Sequence, residues 1–293
     1  MKNTILSVVL LAVLLAGCSK AAKREPGKLL VYASFQVMAD FAQKIAGDKA
    51  VVVTVVPAGA EPHGFEPTAR QMAEMAGADL VVYNGAGLDD FILDMKAALP
   101  GSGAVFVEAA AVVPPLETGG QVDPHVWLDP ANAVLEMSAV AEALCRADPA
   151  NETFYRQNFD FWAEKCAGLD KRFEEGLSGL SNRTIVVAHE AYGYLCARYG
   201  LVQLPLEGLD AEGEPSPKRL VRVVETIRAE KIGTVFFEEN ASQAAVNAVR
   251  EETGARLFPL SPYESLTEAQ KKAGEDYFSV MEQNLENLLA ALQ

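Results

Sequence analysis

The chain has 293 residues, 50% of them hydrophobic, and a formal charge of −15. So acidic a chain disfavours nucleic acid and anionic lipid surfaces as partners, and mildly favours cations near its own surface. The length exceeds one average domain and points to two.

Residues 1–17 read as a secretory signal. Lys2 supplies a positive start, residues 5–16 an apolar run, and Leu15-Ala16-Gly17-Cys18 a small-residue cleavage site. The run falls short of the roughly 20 residues that a membrane-spanning helix needs, and no later run is long enough. Leu-Ala-Gly-Cys resembles the lipobox of bacterial lipoproteins, which implies a mature chain that starts at a lipidated Cys18. The alternative is an ordinary secretory signal with a chance cysteine. Residues 18–27 then form a polar tether, and loss of residues 1–17, whose one charge is Lys2, leaves −16.

From residue 28 onward, short β-branched runs alternate with helical patterns, the signature of parallel sheets with crossover helices. The first half offers strands at 29–32, 51–56, 80–83 and 105–107; the second offers 184–188, 201–206, 234–237 and 256–258. Helices fall between them, among them 37–46, 220–229 and 244–253. Thr68 with Gln71 forms a capping box, and Asp129-Pro130 reads as an N-cap with proline at the first helical position. Asp129 is therefore structural rather than a ligand in this reading.

Between the halves, apolar residues recur at Tyr155, Phe159, Trp162, Cys166, Leu169, Phe173 and Leu177. Steps of four and three mark one face of a continuous helix over 151–177. Its roughly 27 residues would reach about 40 Å, the width of a domain pair, and a single stiff connector predicts limited hinge motion. The expected architecture is α/β, with two similar lobes of parallel sheet, 28–150 and 181–293, joined by one long helix within 151–180. Cys145, Cys166 and Cys196 fall in helix-like segments without a CxxC pair, and buried free thiols are the preferred reading.

Only three histidines occur, and each sits in a loop-like segment: His63, His125 and His189. His63 and His189 follow strands, one in each half, at the carboxyl end where open α/β sheets bind ligands. His125 lies in a loop after the fourth strand. Neutral imidazole is the commonest metal ligand, and three such donors with one carboxylate satisfy a tetrahedral zinc-like ion. Glu264, after the last strand, is best placed as fourth donor. Glu61, Glu66, Glu190 and Glu238 compete, each more readily as a supporting partner or a solvated charge. Asp123 and Glu66 could orient histidine rings from behind.

Several motifs carry a family resemblance. They are Pro62-His63-Gly64-Phe65-Glu66-Pro67-Thr68, Asn84-Gly85-Ala86-Gly87-Leu88-Asp89, Asp123-Pro124-His125-Val126-Trp127-Leu128-Asp129-Pro130, His189-Glu190-Ala191-Tyr192-Gly193-Tyr194, Glu214-Pro215-Ser216-Pro217 and Phe236-Phe237-Glu238. The chain resembles the metal-binding solute-binding lipoproteins of bacterial ABC importers, solute-binding family 9, over almost the whole mature length. The resemblance implies a metal buried in the cleft between two lobes, with His63 and His125 as first-lobe ligands and His189 as the second-lobe ligand. It implies a lipid anchor outside the cytoplasm, a cognate ABC permease as partner and a monomer. Glu264 stands where relatives usually show aspartate, and the family's histidine-rich loop is missing, since residues 101–121 contain no histidine.

Three imidazoles and one carboxylate suit Zn2+; Mn2+ prefers more oxygen donors and is the alternative cargo, with iron carriage in the same class. Two other classes compete. A surface adhesin would carry its metal incidentally. A secreted zinc hydrolase would need an open metal position, and no His-Glu-x-x-His helix is present. The chain reads as a carrier, not an enzyme.

Overall fold

The computed structural model describes residues 24–98, 101–209 and 216–293. The signal segment, Cys18 and the Glu214-Pro215 dipeptide lie outside them. Among the described residues, no helix is long and apolar enough to cross a membrane.

The first lobe is built on β1 (Leu29–Ala33), β2 (Ala50–Thr54), β3 (Leu80–Tyr83) and β4 (Val105–Glu108), connected through α1 (Gln36–Ala46), α2 (Ala69–Met75) and α3 (Phe91–Ala98). The strands form one parallel sheet in the order β2-β1-β3-β4. These runs are rich in Val and Leu with helices packed against them, as a sheet buried on both faces requires. The capping box at Thr68 is formed as its sequence indicates, with both reciprocal bonds to Gln71 present.

A small antiparallel hairpin, β5 (Glu117–Thr118) and β6 (Gln121–Val122), follows the sheet. A 3-10 turn at Val126–Leu128 then leads into α4 (Pro130–Ala147), whose first turn is capped by Asp129 accepting from Ala131 N–H.

The connector α5 runs Glu152–Ser178, 27 residues without interruption. It buries Tyr155, Cys166, Leu169, Phe173 and Leu177, while Phe159 and Trp162 are half-buried against the same core. The second lobe comprises β7 (Thr184–Val187), α6 (Gly193–Tyr199), β8 (Val202–Pro205), α7 (Pro217–Glu230), β9 (Thr234–Phe237), α8 (Ala244–Thr253), β10 (Arg256–Pro259), α9 (Glu268–Ala273) and α10 (Tyr277–Leu292). Its strands form two parallel pairs, β7 with β8 and β9 with β10, with β7 beside β9. The two lobes thus share a plan but differ in sheet continuity.

Helix α5 packs against α1 and α4 on the first-lobe side, and against α6 and α10 on the other. One buried cluster accordingly passes through both lobes, from Val31 and Phe41 through Phe173 and Leu177 to Ile185, Leu195, Tyr277 and Leu288. Two smaller clusters cover the outer sheet faces. Cys145, Cys166 and Cys196 are buried free thiols.

Because the principal core is continuous across the lobes, unfolding in urea is expected to be one transition seen alike by far-UV circular dichroism and tryptophan fluorescence. Phe173→Ala, which empties a fully buried site on α5, should lower stability by about 3–5 kcal/mol. Two separated transitions would contradict the shared core.

Candidate metal centre

The three histidines and Glu264 meet at one point. His63 sits in the turn after β2, His125 immediately before the 3-10 turn, His189 two residues past the end of β7, and Glu264 in the loop after β10. The exposures are 5%, 0%, 1% and 4%, so the cluster is closed to bulk water. Each residue offers one donor atom, and these atoms all lie within 4.8 Å of one another.

Glu264 Oε1 is 2.9 Å from His125 Nε2, 3.3 Å from His63 Nε2 and 3.7 Å from His189 Nε2. His125 Nε2 and His189 Nε2 are 3.3 Å apart. Four donors each about 2.1 Å from a tetrahedral ion stand about 3.4 Å from one another, so these spacings bracket the edges of such a tetrahedron.

Two of the rings are aimed from behind. His125 Nδ1 donates to Asp123 Oδ1 at 2.8 Å, and His189 Nδ1 donates to Glu238 Oε1 at 2.7 Å. A carboxylate on Nδ1 fixes the tautomer that leaves Nε2 as the free donor and raises its basicity. Asp123 Oδ1 also accepts the backbone N–H of His125 at 2.9 Å. A Cβ at Gly193 would collide with Asp123 Oδ2, so glycine there leaves room for that carboxylate.

The electrostatics follow from burial and these partners. Burial alone would depress the His125 and His189 pKa values. For His125, Asp123 and Glu264 outweigh it and raise the value; for His189, Glu238 and Glu264 raise it well above the ordinary range. Burial would raise the Glu264 pKa, yet His63, His125 and His189 hold it well below the carboxylate range. Glu61, which accepts the His63 backbone N–H at 3.1 Å, is pushed up to about 8 by burial and then by Glu264.

The remaining carboxylates are sorted by place. Glu66, considered from sequence as an orienting group, is exposed, and Glu61 takes the position beside His63 instead. Glu190 is half-buried with Arg219 at 3.5 Å. Asp129 serves as the helix cap. A cavity of about 320 Å³ opens beside Glu238 and Glu264, with Glu61, Glu239 and Glu275 on its walls and, among the described residues, no basic side chain in its lining. Such a one-signed cleft concentrates cations.

A family model described as zinc-uptake complex component A, periplasmic (ZnuA), matches residues 31–291. The chain belongs to this family. The zinc-binding lipoprotein AdcA of Streptococcus pneumoniae is 34% identical over 302 residues, covering 98% of this chain and 60% of the relative. The chain therefore spans 60% of that curated relative's length. The solved Zn(II)-bound ZnuA-like domain of S. pneumoniae AdcA matches with a TM-score of 0.82 at 36% identity, covering 91% of this chain and 99% of that one. The laminin-binding protein Lmb of Streptococcus agalactiae, described as a bifunctional protein with adhesin and metal-transporting activity, matches at TM-score 0.84 and 28% identity, covering 91% and 100%. The α/β architecture with parallel sheets and a long helix is thus that of the ZnuA-like proteins.

The charge cluster sets a pH dependence for the metal-free chain. Glu264, depressed on folding, adds stability that is complete above about pH 4.5 and fades as pH falls toward its folded value. His125 and His189, raised on folding, add stability that is complete below about pH 6.5 and fades as pH rises through their folded values. The melting temperature difference between the unaltered chain and Glu264→Gln, measured by calorimetry with chelator present, should be greatest between those pH values and shrink on either side. A difference independent of pH would contradict the charged cluster.

Proposed function

We propose that this protein captures a zinc ion outside the cytoplasm and delivers it to an ABC importer. The observation that carries the reading is the convergence of His63, His125, His189 and Glu264, whose donor atoms lie within 4.8 Å of one another in a buried cluster. Three imidazoles and one carboxylate suit zinc, whereas manganese prefers more oxygen donors and higher coordination. The zinc named in the relatives agrees with this donor set.

Glu264 fills the fourth position, which leaves none for an activated water and supports carriage over hydrolysis. Asp123 and Glu238, each on the Nδ1 of its ring, hold Nε2 of His125 and His189 turned toward the ion. Binding displaces the protons that the metal-free cluster carries, because ligand atoms must be deprotonated. The acidic cavity supplies cations to the cleft, and the loaded surface docks on a cognate permease as a monomer. In this reading residues 1–17 are removed, Cys18 carries a lipid, residues 18–27 tether the folded part to a membrane, and 28–150 and 181–293 form the lobes on either side of the 151–180 connector.

The test is titration of the metal-stripped chain, made without its lipid anchor, with zinc and manganese by calorimetry. A one-to-one zinc isotherm, tighter than that of manganese and lost in Glu264→Ala, is expected; no tight binding of either ion would overturn the reading, and tighter manganese would change the cargo. Asp123→Asn and Glu238→Gln leave all four donors in place, and each should weaken zinc binding about 10–100-fold. Unchanged affinity in both would show that the rings need no support.

A further inference from the structure

The residue before Glu264 holds a backbone conformation that its own side chain disfavours. Tyr263 has φ +61°, and among the described residues only Ala86 and Lys231 share a positive φ without being glycine. In this left-handed region a β-carbon crowds the backbone, and a bulky residue stays there only where its surroundings over-determine it.

The surroundings of Tyr263 do so. It is fully buried. Its N–H donates to Ser261 Oγ at 3.1 Å, and its hydroxyl donates to Asp40 Oδ2 at 3.0 Å. Asp40 lies on α1 of the first lobe and is itself fixed. Tyr277 N–H donates to the same Oδ2 at 2.8 Å, and Lys44 Nζ lies 2.9 Å from Oδ1. That ammonium also reaches Asp276 at 2.6 Å and sits 4.4 Å over the Trp162 ring.

The neighbours of Tyr263 are tied the same way. Pro262 O accepts from Trp127 Nε1 at 2.7 Å, two residues past His125, and Leu266 O accepts from Gly59 N–H at 3.1 Å. The Glu264 loop follows β10 of the second lobe, yet three of its bonds run to first-lobe residues. Its carboxylate matches that attachment, being nearer to His125 and His63, at 2.9 and 3.3 Å, than to His189 at 3.7 Å.

We propose that Tyr263 is a positioning residue for Glu264: its hydroxyl bond to Asp40 fastens the loop to the first lobe, so that Glu264, His63 and His125 stand as a three-donor half-site that His189 completes. The inference rests on the reading that these four residues hold zinc. A tyrosine that merely filled the core would contribute to stability without acting through Glu264, and the two roles separate in a double-mutant cycle.

Zinc affinity is to be measured by competition with a chromogenic chelator for the unaltered chain, Tyr263→Phe, Glu264→Gln and the double variant. Phenylalanine keeps the ring, and Asp40 retains Lys44 and the Tyr277 N–H, so the fold is preserved; near-UV circular dichroism of the metal-free chain checks this. Tyr263→Phe should weaken binding about tenfold, the scale of a lost supporting contact, and should cause no further loss once Glu264 is glutamine. Equal losses on both backgrounds, or no loss on either, overturn the inference while leaving the zinc site standing. Absence of zinc binding by the unaltered chain overturns the site reading and this inference together.

Discussion

A carboxylate oxygen facing three imidazoles in a closed cleft is the constraint around which the molecule is arranged. Ionised groups removed from water are strongly destabilising unless they are paired and hydrogen-bonded. Here the pairing is mutual. Glu264 is kept ionised by His63, His125 and His189, and two of those rings lean on carboxylates of their own, Asp123 and Glu238. These six groups come from five loops, Asp123 and His125 sharing one. The loops following β2, β6, β7, β9 and β10 must therefore arrive together, and the fold supplies the frame that brings them there.

That frame is α5 with the core around it. A rigid helix of 27 residues sets the lobe separation, and the buried cluster running from Phe41 to Leu288 leaves little independence between lobes near the connector. The cleft side is stitched as well. Tyr277 Oη donates to Trp127 O at 2.7 Å, placing the closing helix α10 directly beneath the His125 loop. Tyr192 Oη donates to Leu260 O at 2.8 Å and joins the His189 loop to the β10 loop. These bonds are buried, where an unmade partner would cost the full desolvation of a polar group, so they resist rearrangement of the donor loops.

Much of this was legible in the sequence, for identifiable reasons. Seven apolar residues at steps of three and four placed α5 within a residue of its ends, and β3 and β9 were recovered with their bounds. Local chemistry fixed the Thr68 box and the Asp129 cap. The clustering of the three histidines was legible because they are the whole supply of that residue and two follow strand ends. What escaped is non-local or too short. The β5–β6 hairpin has two residues per strand, too few to show alternation. Glu61 and Glu66 stand two and three residues from His63, and the sequence does not say that Glu61 accepts the His63 N–H while Glu66 is exposed. The Tyr263–Asp40 bond joins residues 223 apart and leaves no mark in either segment. Helix α10 did leave one: Tyr277, Met281, Asn284, Leu288 and Leu292 recur at helical spacing, and all are buried.

The three thiols are the counterpart of the donor set. Burial raises the Cys145 pKa and pushes Cys166 and Cys196 up to about 12, so these sulfurs stay protonated near neutral pH. A protonated thiol is not a metal ligand, and thiolates are the donors that attract copper(I) and other soft ions. Sulfur is thus sequestered inside helices, while nitrogen and oxygen are the donors that meet in the cleft. Among the described residues no thiol joins the one cluster of groups spaced to hold an ion, whose donors are nitrogen and oxygen alone.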